Sequence, residues 1–199
     1  MKKLILSTIL LIFILGTVGC KKEEVFISTD NVTTDTILAK SNGKLQVATV
    51  EDFDKTYYDL NELKDFVNKE IKEYNKKAGV EAISIEDVKL NNGKVVLLLT
   101  YSGMDQYANF NDVAAAYFNG GISEISLKLP STLVSTKNGS LASTQEVLGN
   151  DKLKILVMNE PYDIIVDGTI KYYSENVTFV DDNKVQGAAE GMSIVVFKP

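Results

Sequence analysis

The side chains of this chain that could do chemistry are carboxylates, hydroxyls and a single thiol, because the sequence contains no histidine, arginine or tryptophan. Without imidazole the usual general base near neutral pH is missing, and Ser-His-Asp triads and histidine metal sites are excluded. Ser41-Asn42-Gly43-Lys44 has the spacing of a Ser-x-x-Lys acyl-enzyme, which needs its serine at the start of a helix and its lysine one turn on. Here Asn42-Gly43 bends the segment into a hairpin, so the match is one of spacing alone. Gly187-Ala188-Ala189-Glu190-Gly191 lacks the preceding strand pattern and the Lys-Ser/Thr tail of a phosphate loop.

The acids remain. A pair of them could serve as acid and nucleophile of a glycosidase, which makes a carboxylate-dependent cell-wall or carbohydrate hydrolase the alternative function. Asp181-Asp182-Asn183 is a compact oxygen cluster, yet it lacks the ligand spacing of a calcium loop and reads as a β-turn. No metal site and no cofactor is expected. Tyr57-Tyr58 and Tyr172-Tyr173 are candidates for sugar or peptide contact, although adjacent residues of a strand face opposite ways, so one of each pair is expected in the core.

The elements that must position these residues read as an α+β order. Val25-Phe26-Ile27 suggests a first strand and Ser28 to Asp35 a polar loop, after which Thr36 to Val50 forms a hairpin around Asn42-Gly43, expected as a type I′ turn. The strongest helix spans about 59–78. Leu60, Leu63, Phe66, Val67, Ile71 and Tyr74 recur at helical spacing, Asp59 and Glu62 make a capping box, and Gly79 is the stop. A second hairpin turns at Asn92-Gly93, and its Val95 to Leu99 is a continuous apolar run, the mark of a strand buried on both faces. A second helix is expected over about 103–118, opened by Ser102 and Asp105 and closed by Gly120-Gly121.

The C-terminal half reads as β-rich. Ile125, Leu127 and Leu129 alternate, Asn138-Gly139 is a third hairpin turn, and Ser143 with Glu146 caps a helical turn ending at Gly149. Strand candidates follow at Lys152–Met158, Tyr162–Val166, Thr169–Tyr173, Val177–Val180 and Ser193–Phe197, with Asp167-Gly168 as a tight turn. The expected fold is a mainly antiparallel sheet built from hairpins, with two helices packed on it.

The N-terminus says where such a domain would work. Lys2 and Lys3 precede the apolar run Leu4 to Leu15, which is shorter than a bilayer-spanning helix and has the layout of an export signal. Gly16-Thr17-Val18-Gly19-Cys20 ends it, with Cys20 the only cysteine, and this resembles the lipobox of bacterial lipoproteins, with Thr17 standing where that family prefers leucine. The resemblance implies lipidation of Cys20 and removal of residues 1–19, leaving 20–35 as lipidated cysteine and tether and 36–199 as one extracytoplasmic domain, with a possible subdivision near 121. Plain secretion with Cys20 as a free thiol is the other reading of the same signal. Asn159-Glu160-Pro161-Tyr162 and the stretch Asp167 to Val177 are similar to segments of a group of clostridial-type cell-surface lipoproteins, which also carry a helix of the Leu60 to Tyr74 kind and close on a strand like Ser193 to Phe197. That similarity implies the lipoprotein class and no reaction.

Composition narrows the partners. The full chain carries a net charge of −6, and without Lys2 and Lys3 the remainder has 19 lysines against 27 acids, or −8. An acidic domain whose cations are all lysine is poorly suited to phosphate or guanine recognition, so no nucleic acid is expected. The sequence thus points to a non-catalytic, lipid-anchored binding or envelope-associated module on the extracytoplasmic face of the cell membrane. Its expected partners are the membrane, through Cys20, and an envelope protein or glycan; the ligand-binding residues are not specified.

Overall fold

In the computed structural model, which describes residues 25–121 and 129–199, most apolar runs become strands. Among the described residues the order is β1 (Thr36–Ala39), β2 (Leu45–Asp52), α1 (Leu60–Ala78), β3 (Ile83–Asn91), β4 (Lys94–Tyr101), α2 (Met104–Asn111), β5 (Ala115–Asn119), β6 (Thr132–Ser135), β7 (Leu141–Ser143), α3 (Thr144–Leu148), β8 (Lys154–Met158), β9 (Asp163–Val166), β10 (Thr169–Tyr173), β11 (Thr178–Asp181), β12 (Lys184–Gln186) and β13 (Ser193–Lys198). They form a seven-stranded sheet, β11-β12-β9-β1-β2-β4-β3, and a six-stranded sheet, β5-β8-β13-β10-β6-β7. The pairings are antiparallel except β1 with β9, so the class is the expected α+β, in two sheets where one was expected. No described helix is long and apolar enough to cross a membrane.

The three Asn-Gly dipeptides all turn the chain, by two different routes. Asn92 and Gly93 both have positive φ (49° and 77°), as a two-residue type I′ turn requires. At Asn42-Gly43 only the glycine does (φ 89°), and Lys40 N–H bonds Lys44 O at 2.9 Å across a three-residue loop. The type I′ expectation is therefore corrected there: one more loop residue leaves a single left-handed position to fill, and glycine fills it.

Helix α1 starts and stops as its ends dictate. The Asp59 carboxylate accepts from Asn61 N–H at 2.7 Å and Glu62 N–H at 3.1 Å, and Gly79 closes the helix at φ 72°. It buries Val67 and Ile71, with Leu63 and Tyr74 half-buried, and leaves Phe66 61% exposed. Phe66 is expected on the apolar stripe, but a 100° step from Val67 carries it past the edge of a face only one or two residues wide.

Helix α2 is shorter than expected, ending at Asp112 (φ 53°), and the segment assigned to its second half is strand β5. Ala115 to Asn119 pairs residue for residue with Met158 to Lys154, which sends Tyr117 into the core between the sheets and Phe118 to the opposite side. A ladder and two half-buried aromatic rings outweigh the few tenths of a kcal/mol per residue by which alanine favours helix. Two further corrections are non-local. Asp167-Gly168 joins β9 and β10, which lie in different sheets, so it is a crossover and not a hairpin; a Cβ on Gly168 would sit 2.4 Å from Lys198 O. Strand β12, not anticipated, answers β11 across the Asp181–Asn183 turn.

Burial divides by strand parity. Ile37, Val47, Leu99, Tyr101, Leu156, Ile164, Val195 and Phe197 meet α1 and α2 in one core between the elements. Leu38, Ala48, Val96 and Leu98, on the other face of the seven-stranded sheet, are covered by Ile27 with Val25 and Val32. Residues 25–35 are thus part of the fold, against the expectation of a strand at Val25–Ile27 and a tether through residue 35. They form a strap without strand pairing, held by Ile27 N–H to Gln46 Oε1 (3.3 Å), Thr29 Oγ1–H to Asp87 Oδ2 (2.6 Å) and Val50 N–H to Asp35 Oδ1 (2.7 Å). The expected doubly buried strand is β4, lying between β2 and β3. Cys20, the whole signal and the Ile125 and Leu127 alternation lie outside the described residues.

Candidate ligand-contact surface

The residues singled out by type separate into turns and contacts. Ser41 and Lys44 sit in the β1–β2 loop, where Ser41 Oγ–H donates to Asp167 Oδ2 at 2.7 Å, so the helix an acyl-enzyme needs is not there. Gly187 packs where a Cβ would lie 2.7 Å from Tyr162 O, and its N–H bonds that carbonyl at 2.8 Å. Asp181 Oδ1 accepts from Asn183 N–H at 3.0 Å, as expected of an Asx turn. Tyr172 and Tyr173 do face opposite ways, each half-buried, with Tyr173 stacked on Phe179 at 5.6 Å.

Tyr57 and Tyr58 do not divide in this way. Both are exposed, at 75% and 43%, because they lie in the turn between β2 and α1 and not in a strand. Phe53 joins them: its ring stacks on Tyr58 (centroids 4.9 Å apart, planes at 28°), and Tyr57 meets Tyr58 edge-on at 4.9 Å and 72°. The turn is held at both ends, by Phe53 N–H to Gly93 O at 2.6 Å and by Asp59 as the cap of α1. The result is a ledge of three rings beside the Asn92-Gly93 turn. The sequence names Tyr57 and Tyr58 but not Phe53, and nothing in Phe53 to Tyr58 distinguishes rings facing water from rings facing the core.

On the outer face of the seven-stranded sheet, the same turn borders an open groove of about 580 Å³. Val32, Val50, Leu90 and Val96 supply apolar surface, and Thr33, Asn91 and Asn92 supply neutral polar groups. Three acids at this end pair with lysines, and Glu51 beside them is exposed. Lys94 Nζ lies 2.6 Å from Asp52 Oδ1, Lys55 Nζ lies 3.3 Å from Asp54 Oδ1, and Lys89 pairs with Asp30. The hydrogen bond and charge of Lys94 hold the Asp52 carboxyl below its usual range, and Asp52 in turn holds the ammonium above its own.

A second polar cluster lies where β8 hands over to β9. Burial pushes the phenols of Tyr107 and Tyr162 above their usual range. Beside them burial raises the Glu160 carboxyl, only partly offset by the N–H groups of Glu160 and Asn159, and its Oε2 has no hydrogen-bond partner among the described residues. Glu160 was named in the sequence only as part of a similarity; its burial is a tertiary fact.

The ledge and groove can hold a ligand by stacking and neutral hydrogen bonds. Two further clefts, one bordered by Asp163 and Lys184 and one by Glu86 with Lys40 and Lys44, each have one carboxylate in their walls, as the groove has Asp30. No group of three or more acids or thiols able to hold a metal occurs among the described residues. Comparison with known proteins returns no matching family model, no matching curated protein and no matching solved structure.

Proposed function

We propose that this protein is a lipid-anchored extracytoplasmic binding module, tethered to the cell membrane through Cys20 and without catalysis of its own. The observation that carries the reading is the ring ledge beside the Asn92-Gly93 turn, an exposed aromatic surface held at both ends. The placement of the strap supports it. Ile27 crosses the sheet at Gln46, six residues along β2 from Asp52, so roughly 20 Å of strand separates the chain's entry from the ledge. The five steps from Cys20 to Val25 reach at most about 18 Å. In this reading the chain enters the fold away from the ledge.

Cys20→Ser tests the anchor: the variant is expected to leave the membrane fraction or to retain its signal, and a variant that fractionates and migrates like the parent overturns it. The alternative, a carboxylate-dependent hydrolase, rests on the raised carboxyl of Glu160, which needs a second acid about 5–9 Å away. Glycan-hydrolase activity lost in Glu160→Gln would favour that alternative.

A further inference from the structure

We propose that Asn92-Gly93, in the turn beside the ring ledge, is a site of spontaneous covalent modification: Asn92 loses its side-chain amide through a succinimide ahead of the chain's other Asn-Gly pairs. The chemistry is local to the dipeptide. The Gly93 nitrogen gives up its proton and attacks Asn92 Cγ; the N–Cγ bond forms, the Cγ–Nδ2 bond breaks, and the amide leaves as ammonia with that proton. Water then opens the ring at one carbonyl or the other, giving an aspartate or routing the backbone through the side chain as isoaspartate. Nothing beyond water is consumed. Glycine is the favourable second residue because it places no side chain beside the attacking nitrogen, which makes such pairs chemically labile.

Hydrogen bonding separates this pair from the others. In the β1–β2 loop, Gly43 N–H donates to Lys40 O at 2.9 Å and Asn42 Oδ1 accepts from Lys44 N–H at 3.0 Å. In the β6–β7 turn, Gly139 N–H donates to Ser135 O at 2.9 Å, and Asn138 Oδ1 accepts from Ser140 N–H at 3.1 Å and Ser140 Oγ–H at 2.7 Å. A further Asn-Gly follows at the end of β5, outside the hairpin turns. There Gly120 N–H donates to Leu153 O at 2.8 Å and Lys154 Nζ donates to Asn119 Oδ1. All four asparagines are exposed, yet among the described residues no hydrogen bond engages the Asn92 side chain or the Gly93 N–H.

A bonded N–H has its proton held by the acceptor, and a bonded amide has to be released before Cγ can swing onto the nitrogen. Each bond that must open first slows the step by about fivefold at the usual net strength of such a bond. The product also lands where it matters to the ledge. Gly93 O accepts Phe53 N–H at 2.6 Å, and a Cβ on Gly93 would lie 3.7 Å from Asp54 Cβ. The aspartate product adds a negative charge near Asp54 and tolerates the left-handed φ of 49° as asparagine does. The isoaspartate product inserts a methylene into the backbone between Asn91 and Lys94, which pair directly, and so displaces the carbonyl that holds Phe53.

The test ages the purified full chain, kept in mild detergent, in warm and mildly alkaline buffer, once folded and once in urea. Each Asn-Gly pair is followed by lysine-specific digestion and tandem mass spectrometry, with isoaspartate separated from aspartate by chromatography. In the folded chain Asn92 is expected to convert first, at least about tenfold ahead of Asn42, Asn119 and Asn138. In urea, where none of these bonds is held, the four rates are expected to converge. Asn92→Gln, whose longer amide cyclises far more slowly, is expected to abolish the early mass gain. Equal rates in the folded chain, or conversion led by another pair, overturn the proposal. An Asn92 lead that persists unchanged in urea overturns hydrogen bonding as its cause, and an early mass gain that survives Asn92→Gln overturns the site.

Discussion

The side chain of Asn75, in the last turn of α1, grips the backbone of Ile83 at the start of β3 from both sides: its Oδ1 accepts the Ile83 N–H at 3.0 Å and its Nδ2 donates to the Ile83 carbonyl at 2.8 Å. The same Oδ1 accepts from Ala82 N–H at 2.9 Å. One amide thus fixes where the helix meets the edge of the seven-stranded sheet.

Asn75→Ala removes the Asn75 partner of the Ile83 N–H and carbonyl at a part-buried site and leaves Ala82 N–H with the Val80 carbonyl alone. A loss of about 1–3 kcal/mol is expected, the penalty for leaving such groups unpaired. Asn75→Asp keeps the acceptor but loses the donor to Ile83 O and is expected to fall between parent and alanine variant. Urea melts with unchanged slope measure it; a midpoint equal to the parent's would show that the latch is energetically idle.

Along α1, Ile71 and Phe66 are expected to behave oppositely. Ile71 is 6% exposed and packs in the core between the sheets, so Ile71→Ala is expected to cost about 2–5 kcal/mol through lost burial and a cavity. Phe66→Ala, at 61% exposure, is expected to stay within about 0.5 kcal/mol. Equal losses in denaturant melts would mean that α1 lies on the sheet by a different face.

Leu98 is 4% exposed and points from β4 onto the underside of the strap, with Ile27, Leu38, Ala48 and Val96 around it. Leu98→Asp places an unpaired carboxylate there, at a cost of several kcal/mol against a total stability of about 5–15. Failure to accumulate as folded protein is expected. Leu98→Ala is the milder companion, cooperative but destabilised; a folded aspartate variant would show that the strap lifts off readily.

Glu160 is expected to make the protein's stability sensitive to pH. Burial raises its carboxyl above the usual range, so the folded state holds the proton more firmly than the unfolded chain does. Its contribution to stability is complete below the unfolded value, about 4.3–4.5, and is lost as pH rises through the folded value. Glu160→Gln removes that dependence. The variant is expected to melt higher than the parent at neutral pH, with the difference shrinking towards pH 4; a difference that stays constant across the range would assign the effect to something other than titration.

What was legible in the sequence was what neighbours in the chain decide between themselves. Asp59 and Gly79 end α1 through bonds to residues two to four positions away, and Asn92-Gly93 can turn a chain whatever surrounds it. The doubly buried β4 was readable because an apolar run alone signals a strand covered on both faces. What depended on distant partners was not. Ala115–Asn119 has the composition of a helix and becomes a strand because β8, some forty residues on, offers it a ladder. Asp167-Gly168 has the form of a hairpin and is a crossover because β9 pairs with β1 instead of β10. The strap and the candidate surface belong to the same class: Val25 to Asp35 packs only because the outer face of the sheet is apolar, and the exposure of Tyr57 and Tyr58, like the burial of Glu160, is settled by which surfaces remain uncovered once both sheets have formed. Local chemistry is written in adjacent residues, whereas burial is a property of the whole packed chain.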